Sequence, residues 1–242
     1  MPGLDAFTSL QRETAIRETR IGGGYAVPQA LLAPTRADWL QPTLKRALDV
    51  LGAGAMLLVL SPLFLLLALL VRADGGPAFF AHRRIGRDGE GFGCLKFRSM
   101  VMDSQAALEA LLASDPEARA EWDATRKLKN DPRVTKIGRF LRATSLDELP
   151  QLINVLRGEM SLVGPRPVIQ SELDRFYGAA AMHYMSVRPG ITGLWQVSGR
   201  SDTSYAQRVA LDMAYVEQAS LWQDIKILLR TPVAVLSRRG AC

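Results

Sequence analysis

The stretch VLGAGAMLLVLSPLFLLLALLV, residues 50–71, contains no charged side chain and only one hydroxyl, that of Ser61. As a helix rising about 1.5 Å per residue, it is about as long as the hydrocarbon core of a bilayer is thick. A signal peptide would lie at the start of the chain, whereas this stretch begins at Val50. We therefore expect a membrane segment that belongs to the mature protein.

Two features bear on the path of this segment through the membrane. Basic residues flank it on both sides, at Lys45-Arg46 and at Arg72, and positive charge normally stays on the cytoplasmic side. Pro62 removes one helical hydrogen bond, and the neighbouring Ser61 hydroxyl can partly satisfy the carbonyl groups left without a donor. These features favour a helix-break-helix that enters and leaves on one face. On the residues alone, a kinked single-pass anchor fits equally well.

The composition excludes several classes of protein. With 48% hydrophobic and 22% charged residues, the chain is neither disordered nor fibrous. Two cysteines and two histidines cannot form a disulfide framework, a thiolate cluster or a His-rich metal site. A metal would therefore have oxygen ligands, which favours Mg²⁺ or Mn²⁺. The net charge of +6 attracts nucleic acid, anionic lipid or phosphorylated substrates, and the membrane segment favours the last two.

Outside the apolar stretch, the pattern predicts an α+β, mostly helical protein. We expect a flexible tail over residues 1–43, a membrane helix over 44–72, a catalytic domain over 73–200 and amphipathic helices over 201–242. Short aromatic runs at 77–80 and 91–97 predict a small β-hairpin, and further helices are expected at 104–113, 116–128, 146–157, 205–220 and 221–236. The apolar side of the last helix, with Trp222, fits either a membrane interface or a packed core.

The strongest candidate for catalysis is the pair Asp147-Glu148 in the motif Ser145-Leu146-Asp147-Glu148-Leu149-Pro150. We expect it at the start of a helix, where free backbone N–H groups and the helix dipole favour anions. The alternative is structural, because Ser145 and Glu148 have the spacing of a capping box.

Cationic side chains that could bind phosphate surround this pair in the sequence. Arg166 is flanked by Pro165 and Pro167, which fix the backbone and present one guanidinium with little freedom. No phosphate-binding loop and no Gly-rich dinucleotide turn is present in the sequence. Phosphoryl chemistry on a lipid phosphate is therefore indicated, with ligands drawn from Lys96, Arg98, Arg133, Arg142 and Arg166.

From Lys45 to the C-terminus the chain resembles the bacterial sugar transferase family, the monotopic phosphoglycosyl transferases that start glycan assembly on polyprenol phosphate. The resemblance rests on many ordered motifs, and His82 departs from it, since many relatives have glutamine there. The motifs are Lys45-Arg46-Ala47-Leu48-Asp49, Ser61-Pro62, His82-Arg83-Arg84-Ile85-Gly86, Lys96-Phe97-Arg98-Ser99-Met100, Asn130 to Thr135, Ser145 to Leu152, Gly158 to Pro167 and Pro189 to Arg200.

The resemblance implies a re-entrant membrane helix and a reaction. A hexose 1-phosphate would pass from a UDP-sugar, UDP-galactose or UDP-glucose, to undecaprenyl phosphate with release of UMP, initiating exopolysaccharide or O-antigen assembly. It implies a compact form without the extra membrane helices of larger members. Asp147 would be the nucleophile and Glu148 a ligand of Mg²⁺. The phosphates would be bound by Lys96, Arg98, Arg142 and Arg166, with Asp212 assisting in metal or substrate binding.

The partners expected from the resemblance are the UDP-sugar, undecaprenyl phosphate and membrane lipid at the cytoplasmic face of the bacterial inner membrane. Nucleic acid is not among them, and the sequence leaves a homodimer open. Two rival functions remain: a polyprenol-phosphate glycosyltransferase that releases UDP, and a non-catalytic membrane scaffold of a polysaccharide-assembly complex. The nucleotide product separates all three.

Overall fold

The computed structural model describes residues 19–21, 25–27, 40–125, 128–198 and 204–236, so most of the predicted tail lies outside the described residues. The strands within these ranges are β1 Thr19–Ile21, β2 Tyr25–Val27, β3 Phe79–Ile85, β4 Gly91–Phe97, β5 Ser161–Val163 and β6 Gly190–Thr192. The α-helices in these ranges are α1 Leu40–Arg72, α2 Ser104–Ser114, α3 Pro116–Thr125, α4 Lys136–Thr144, α5 Gln151–Arg157, α6 Gln170–Glu172, α7 Ala181–Met185, α8 Leu194–Ser198, α9 Tyr205–Glu217 and α10 Leu221–Leu236.

Helix α1 contains the apolar stretch and is long and apolar enough to cross a membrane. The predicted break at Pro62 is wrong as a break in secondary structure, because the helix is continuous over 33 residues. Pro62 has no N–H to offer the Leu58 carbonyl, and the Ser61 hydroxyl donates to that carbonyl instead, at 2.8 Å. This side-chain bond compensates for the proline and lets the helix continue.

The N-terminal end of α1 is fastened to the globular part of the chain. Arg46 donates to the Val155 carbonyl at 2.7 Å, just before α5 ends. The buried Asp49 accepts from the Leu162 backbone N–H at 2.9 Å, on β5. Lys45 forms an ion pair of 2.7 Å with the buried Asp224 of α10. Helices α1 and α10 and strand β5 therefore meet at a buried polar junction.

The C-terminal end of α1 is fastened to the same globular part. Leu67 and Val71 are buried in one cluster with Phe97 of β4 and Leu141 of α4. Between the two ends, one side of α1 is open: Leu51, Leu58 and Leu65, seven residues apart, are 72%, 76% and 63% exposed. The helix thus packs on the protein along one side and offers an apolar side outward.

The predicted hairpin is confirmed as β3 and β4, which pair antiparallel with Ile85 opposite Gly91 and Phe79 opposite Phe97. The first strand is longer than expected and includes the basic run His82-Arg83-Arg84. His82 lies opposite Cys94 and Arg84 opposite Phe92. Because side chains alternate along a strand, Cys94 and Lys96 share one face of β4.

Strands β1 and β2 pair antiparallel inside the tail predicted to be flexible, and this pair was not expected. A further unexpected pair is formed by β5 and β6. They run parallel, with Ser161 opposite Gly190 and Val163 opposite Thr192. Leu162 and Val163 belong to the largest core cluster, together with Val155 of α5 and Tyr215 of α9. This pair holds the Gly164-Pro165-Arg166 segment, which directly follows β5.

Helix α10 packs against the core on one side, as the second alternative predicted, and is exposed on the other. Asp224 and Ile227 are each only 2% exposed and face the core. The opposite side carries an apolar stripe at helical spacing, formed by the exposed residues Trp222, Ile225, Leu229 and Val233.

Candidate active site

The acidic motif lies in a tight turn between two helices. Helix α4 ends at Thr144, and Ser145 caps it in the left-handed conformation (φ 57°), donating its backbone N–H to the Arg142 and Leu141 carbonyls. Residues Leu146–Glu148 then form one 3₁₀ turn, and α5 begins only at Gln151, after Pro150. Ser145 makes no side-chain cap, so the capping-box interpretation is wrong. The predicted single helix over 146–157 is likewise divided, because Pro150 lacks the N–H needed to continue a helix through it.

Lys96 brings the two carboxylates of this turn together. Its Nζ lies 2.7 Å from Glu148 Oε1 and 3.4 Å from Asp147 Oδ2. Asp147 is buried, and burial raises the pKa of its carboxyl; the charge of Glu148 acts in the same direction, and those of Lys96 and Arg142 oppose it. Burial also acts against the charge of Lys96, but the two carboxylates outweigh it and raise the pKa of Lys96. The result is a part-buried cluster of one cation and two carboxylates.

Arg142 reaches the same region from the last turn of α4. Its Nε donates to Ser99 Oγ at 2.9 Å, which holds the guanidinium near Asp147. Helix α4 approaches residue 99 very closely, because a Cβ on Gly138 would come within 2.0 Å of the Ser99 carbonyl oxygen. The glycine is therefore required for the position of Arg142.

Arg98 does not join this cluster. All five of its N–H donors are taken by protein acceptors: the carbonyls of Pro77, Met100 and Val71, and both oxygens of Asp74. The hydrogen bonds from Arg98 lower the pKa of Asp74 to about 2. Arg98 therefore ties the end of α1 to β4, and we leave it out of the proposed phosphate ligands. Arg133 is likewise engaged, in an ion pair with Asp131.

A second cluster surrounds Asp212 of α9. Asp212 accepts from the Tyr177 hydroxyl at 2.7 Å and from the Arg166 backbone N–H. Burial raises the pKa of Asp212 to about 6, against the opposing effect of these hydrogen bonds and of the Arg166 and Arg208 charges. The guanidinium groups of Arg166 and Arg208 lie 5.1 and 4.8 Å from the ring centre of Trp195. The structure thus brings Arg166 and Asp212 together.

Three side chains near Asp212 were not predicted as site residues: Arg208, Tyr177 and Trp195, the last within the motif Pro189 to Arg200. For Arg208 a signal was available, because it lies four residues before Asp212 on a predicted helix and so shares its face. Tyr177 carried no signal, since its approach to Asp212 depends on the tertiary fold.

One face of the hairpin connects the two clusters. Lys96 lies at the end of β4 beside Asp147, and Arg84 lies farther along the hairpin and pairs with Glu172, N–O distance 3.4 Å. Glu172 lines the same pocket as Arg166, Trp195, Arg208 and Asp212. Cys94 lies between them on β4. Burial raises the pKa of its thiol, and charges from both clusters act on that pKa: Lys96, Arg84 and Arg166 lower it, and Glu148 raises it.

Residues 40–238 match the family of bacterial sugar transferases. The chain belongs to this family. It is 57% identical over 198 residues to a UDP-galactose-lipid carrier transferase of Erwinia amylovora and 56% identical to an undecaprenyl-phosphate galactose phosphotransferase of Salmonella typhimurium, covering 82% of this chain and 41% of each relative. It is 55% identical to the exopolysaccharide production protein ExoY of Rhizobium meliloti, covering 81% of this chain and 87% of that relative. The chain thus spans about two fifths of the length of the first two relatives.

In this bacterial sugar transferase, the acidic turn fits Mg²⁺ in one particular way. Within the described ranges, no group of three or more His, Cys, Asp or Glu side chains could hold a metal. Mg²⁺ often takes one or two protein carboxylates and completes its shell with substrate phosphates and water. Glu148, whose side chain is 39% exposed against 12% for Asp147, is the more accessible oxygen donor. The donor set therefore fits an ion shared with a diphosphate.

Proposed function

We propose that this chain transfers a hexose 1-phosphate from UDP-galactose or UDP-glucose to undecaprenyl phosphate and releases UMP. The observation that carries the proposal is the buried Asp147, held beside Glu148 and Lys96 in a member of this family. The relatives indicate the substrate classes: they are a UDP-galactose-lipid carrier transferase, an undecaprenyl-phosphate galactose phosphotransferase and, at 40% identity, a UDP-glucose:undecaprenyl-phosphate glucose-1-phosphate transferase of Escherichia coli.

The proposed reaction has two displacements at one phosphorus atom. In the first, an Asp147 carboxylate oxygen attacks the sugar-bearing phosphorus, and the bond from that phosphorus to the bridging oxygen breaks, so that UMP leaves with the bond electrons. In the second, a phosphate oxygen of undecaprenyl phosphate attacks the same phosphorus, and the Asp147 carboxylate leaves. The product is undecaprenyl diphosphate hexose, and the enzyme is regenerated.

The residues around Asp147 have separate roles in this scheme. Lys96 opposes the effect of burial on the Asp147 carboxyl and so favours its ionised, nucleophilic form. Arg142, oriented by Ser99, and Arg166 would contact phosphate oxygens as negative charge develops on them. Glu148 would hold Mg²⁺, which when bound supplies positive charge against the diphosphate.

We also propose that α1, although continuous as a helix, bends at Pro62 and so enters and leaves the membrane on its cytoplasmic face. This proposal is supported by the fastening of both ends of α1 to one globular part, through Arg46 and Asp49 at one end and Leu67 and Val71 at the other. A helix crossing the bilayer would carry its ends to opposite sides, about 30 Å apart. The exposed apolar side of α1 and the stripe on α10 would both contact lipid. A lipid phosphate and a soluble nucleotide sugar could then reach the same site.

The nucleotide product and the state of Asp147 test the proposed function together. Purified enzyme, mixed with UDP-galactose or UDP-glucose and Mg²⁺ without lipid, should release UMP and gain the mass of one hexose phosphate on Asp147. The Asp147→Asn variant should form no adduct and show no turnover. The Glu148→Gln variant should still form adduct, but more slowly and with a higher Mg²⁺ requirement.

The rival functions give different results in the same experiment. Release of UDP in place of UMP, with lipid present, would identify a glycosyltransferase that leaves the phosphate behind. No nucleotide release with any UDP-sugar, with and without lipid, would leave only the scaffold. An adduct located on Glu148 would reverse the roles assigned to the two carboxylates.

A further inference from the structure

Arg208 is held in an unusual environment for a surface-helix arginine. It lies on α9, and its guanidinium stacks 4.8 Å from the ring centre of Trp195 and 5.6 Å from that of Tyr205. Its Nε atom is buried and has no hydrogen-bond partner. A buried N–H donor without a partner costs free energy. A ligand that accepts a hydrogen bond from this Nε would remove that cost.

A second guanidinium faces the same region. Arg166, fixed between two prolines, lies 5.1 Å from the ring centre of Trp195, and both arginines line one pocket. Over the described ranges, neither Arg166 nor Arg208 forms an ion pair with a protein carboxylate. Two positively charged groups held against one indole ring repel each other, and an anion between them would remove that repulsion.

The carboxylates that line the pocket are engaged with other donors. Glu172 pairs with Arg84 and accepts the Ile169 backbone N–H at 3.1 Å. Asp212 accepts from the Tyr177 hydroxyl and from the Arg166 backbone N–H. Their hydrogen bonds position the pocket walls and leave the two guanidinium groups for a ligand.

The pocket lies within reach of the reacting group. Lys96 contacts Asp147, and Arg84, which pairs with Glu172 of the pocket, lies opposite Phe92. Lys96 and Phe92 are four residues apart on β4, which is about 13 Å along a strand. A substrate phosphate can therefore be held near Arg208 before it moves along this face of the hairpin to Asp147.

We propose that Arg208 and Arg166 form a two-guanidinium phosphate site, with Trp195 as the ring that holds both. The site would bind the phosphate of the donor nucleotide or the phosphate of the polyprenyl acceptor. Arg208 is thus a further substrate-binding residue, and this inference rests on the proposed function for the identity of those two sources. Guanidinium groups suit the task because their planar forks match phosphate oxygens.

Binding without turnover tests this proposal. In an Asp147→Asn background, the affinities of UMP, uridine and farnesyl phosphate are measured by calorimetry on the detergent-solubilised full chain, with Arg208→Ala and Arg208→Lys. We expect both variants to bind at least one of the two phosphate ligands about tenfold or more weakly. Arg208→Lys keeps a cationic stem against the rings, so it separates loss of the fork from misfolding, and melting temperatures check that both variants are folded.

Arg175→Ala provides the matched control. Arg175 also stacks on an aromatic ring, at 5.1 Å from Phe176, but it is exposed and does not line the pocket. This variant should bind all three ligands as the parent does. Weaker binding of UMP alone would assign the site to the donor, and weaker binding of farnesyl phosphate alone would assign it to the acceptor.

Two results would overturn the proposal. If Arg208→Lys bound both phosphate ligands with unchanged affinity, the guanidinium of Arg208 would contact neither phosphate in the parent protein. An equal loss for uridine and UMP would show that the pocket recognises the nucleoside. Failure of the proposed function would look different, because wild-type enzyme would then release no UMP while the dependence of phosphate binding on Arg208 persisted.

Discussion

Lys96 controls the charge of the acidic turn. Its Nζ contacts both Asp147 and Glu148, so it counteracts the burial and the like charge that raise the pKa of Asp147. A protonated carboxyl is a poor nucleophile, so in the proposed reaction the ionised fraction of Asp147 would limit the rate of the first displacement at low pH. Lys96, rather than Asp147 itself, would then determine this limit.

We predict that Lys96→Met moves the acid limb of the rate profile to higher pH. Without the cation, the pKa of Asp147 rises further, so a smaller fraction of it is ionised at neutral pH. Activity should fall most at the acid end of the profile and recover in part as the pH rises. The measurement is the rate of UMP release against pH, with the exposed Lys136→Met as control. A uniform loss at every pH would assign Lys96 to substrate binding alone.

Arg98 and Arg166 should respond to substitution in opposite ways. Arg98→Ala leaves three carbonyls without their donor, so we expect a loss of about 2–4 kcal/mol in the free energy of unfolding.

Arg166→Lys keeps the positive charge but loses the planar fork of the guanidinium. Stability should change little, and turnover should fall at least about tenfold. Thermal melting and UMP release on each variant check both. If Arg98→Ala melted at the wild-type temperature but bound the UDP-sugar more weakly, Arg98 would be a substrate-binding residue.

Lys96 and Arg98 show what a sequence can predict about single residues. They have the same charge and lie two residues apart, and the sequence assigned both to phosphate. Lys96 is within β4, whereas Arg98 follows the last residue of the strand, Phe97, and its guanidinium turns towards the end of α1. The difference depends on where Asp74 and the Val71 carbonyl lie, and the order of the residues does not contain that information.

At the scale of elements, the position of α4 depends on one glycine. Gly138 lies against the Ser99 carbonyl with no room for a Cβ, and the same helix carries Arg142, which bonds to Ser99 Oγ. We predict that Gly138→Ala pushes α4 away, weakens this bond and lowers both stability and the rate of adduct formation. Gly54→Ala is the control, because a Cβ there meets nothing within 4 Å. Equal melting and equal rates for the two variants would contradict the prediction.

The sequence predicted elements well where a pattern is local. The hairpin, α2, α9 and α10 follow from aromatic, capping and amphipathic patterns, and each was placed within a few residues of its observed bounds. The parallel pair β5 and β6 was missed because three-residue strands separated by 26 residues carry no periodicity. The predicted break in α1 failed for a different reason, since the local defect at Pro62 is compensated by Ser61.

At the scale of the whole molecule, two separate sets of contacts, one at each end, attach α1 to the globular part. At the N-terminal end the fastening is polar: Lys45 and Asp49 form a buried junction with Asp224 and β5. At the C-terminal end it is apolar, through Leu67 and Val71, and is completed by Arg98. Moving either end of α1 to the far side of a membrane would break one of these fastenings and leave buried charges or an open core.

We therefore predict that both ends of α1 are accessible from the cytoplasm only. Single cysteines are introduced at Leu44 and Asp88, both exposed, in a chain whose Cys94 and Cys242 are replaced by serine. In intact cells, a membrane-impermeant maleimide should label neither position, and in inverted vesicles it should label both. Pro62→Leu tests the role of the proline in this path, because it restores a backbone N–H in the middle of the helix. Labelling of position 44 from outside intact cells, with position 88 protected, would establish a crossing helix. In that case the Lys45–Asp224 ion pair could not exist in the membrane-bound enzyme.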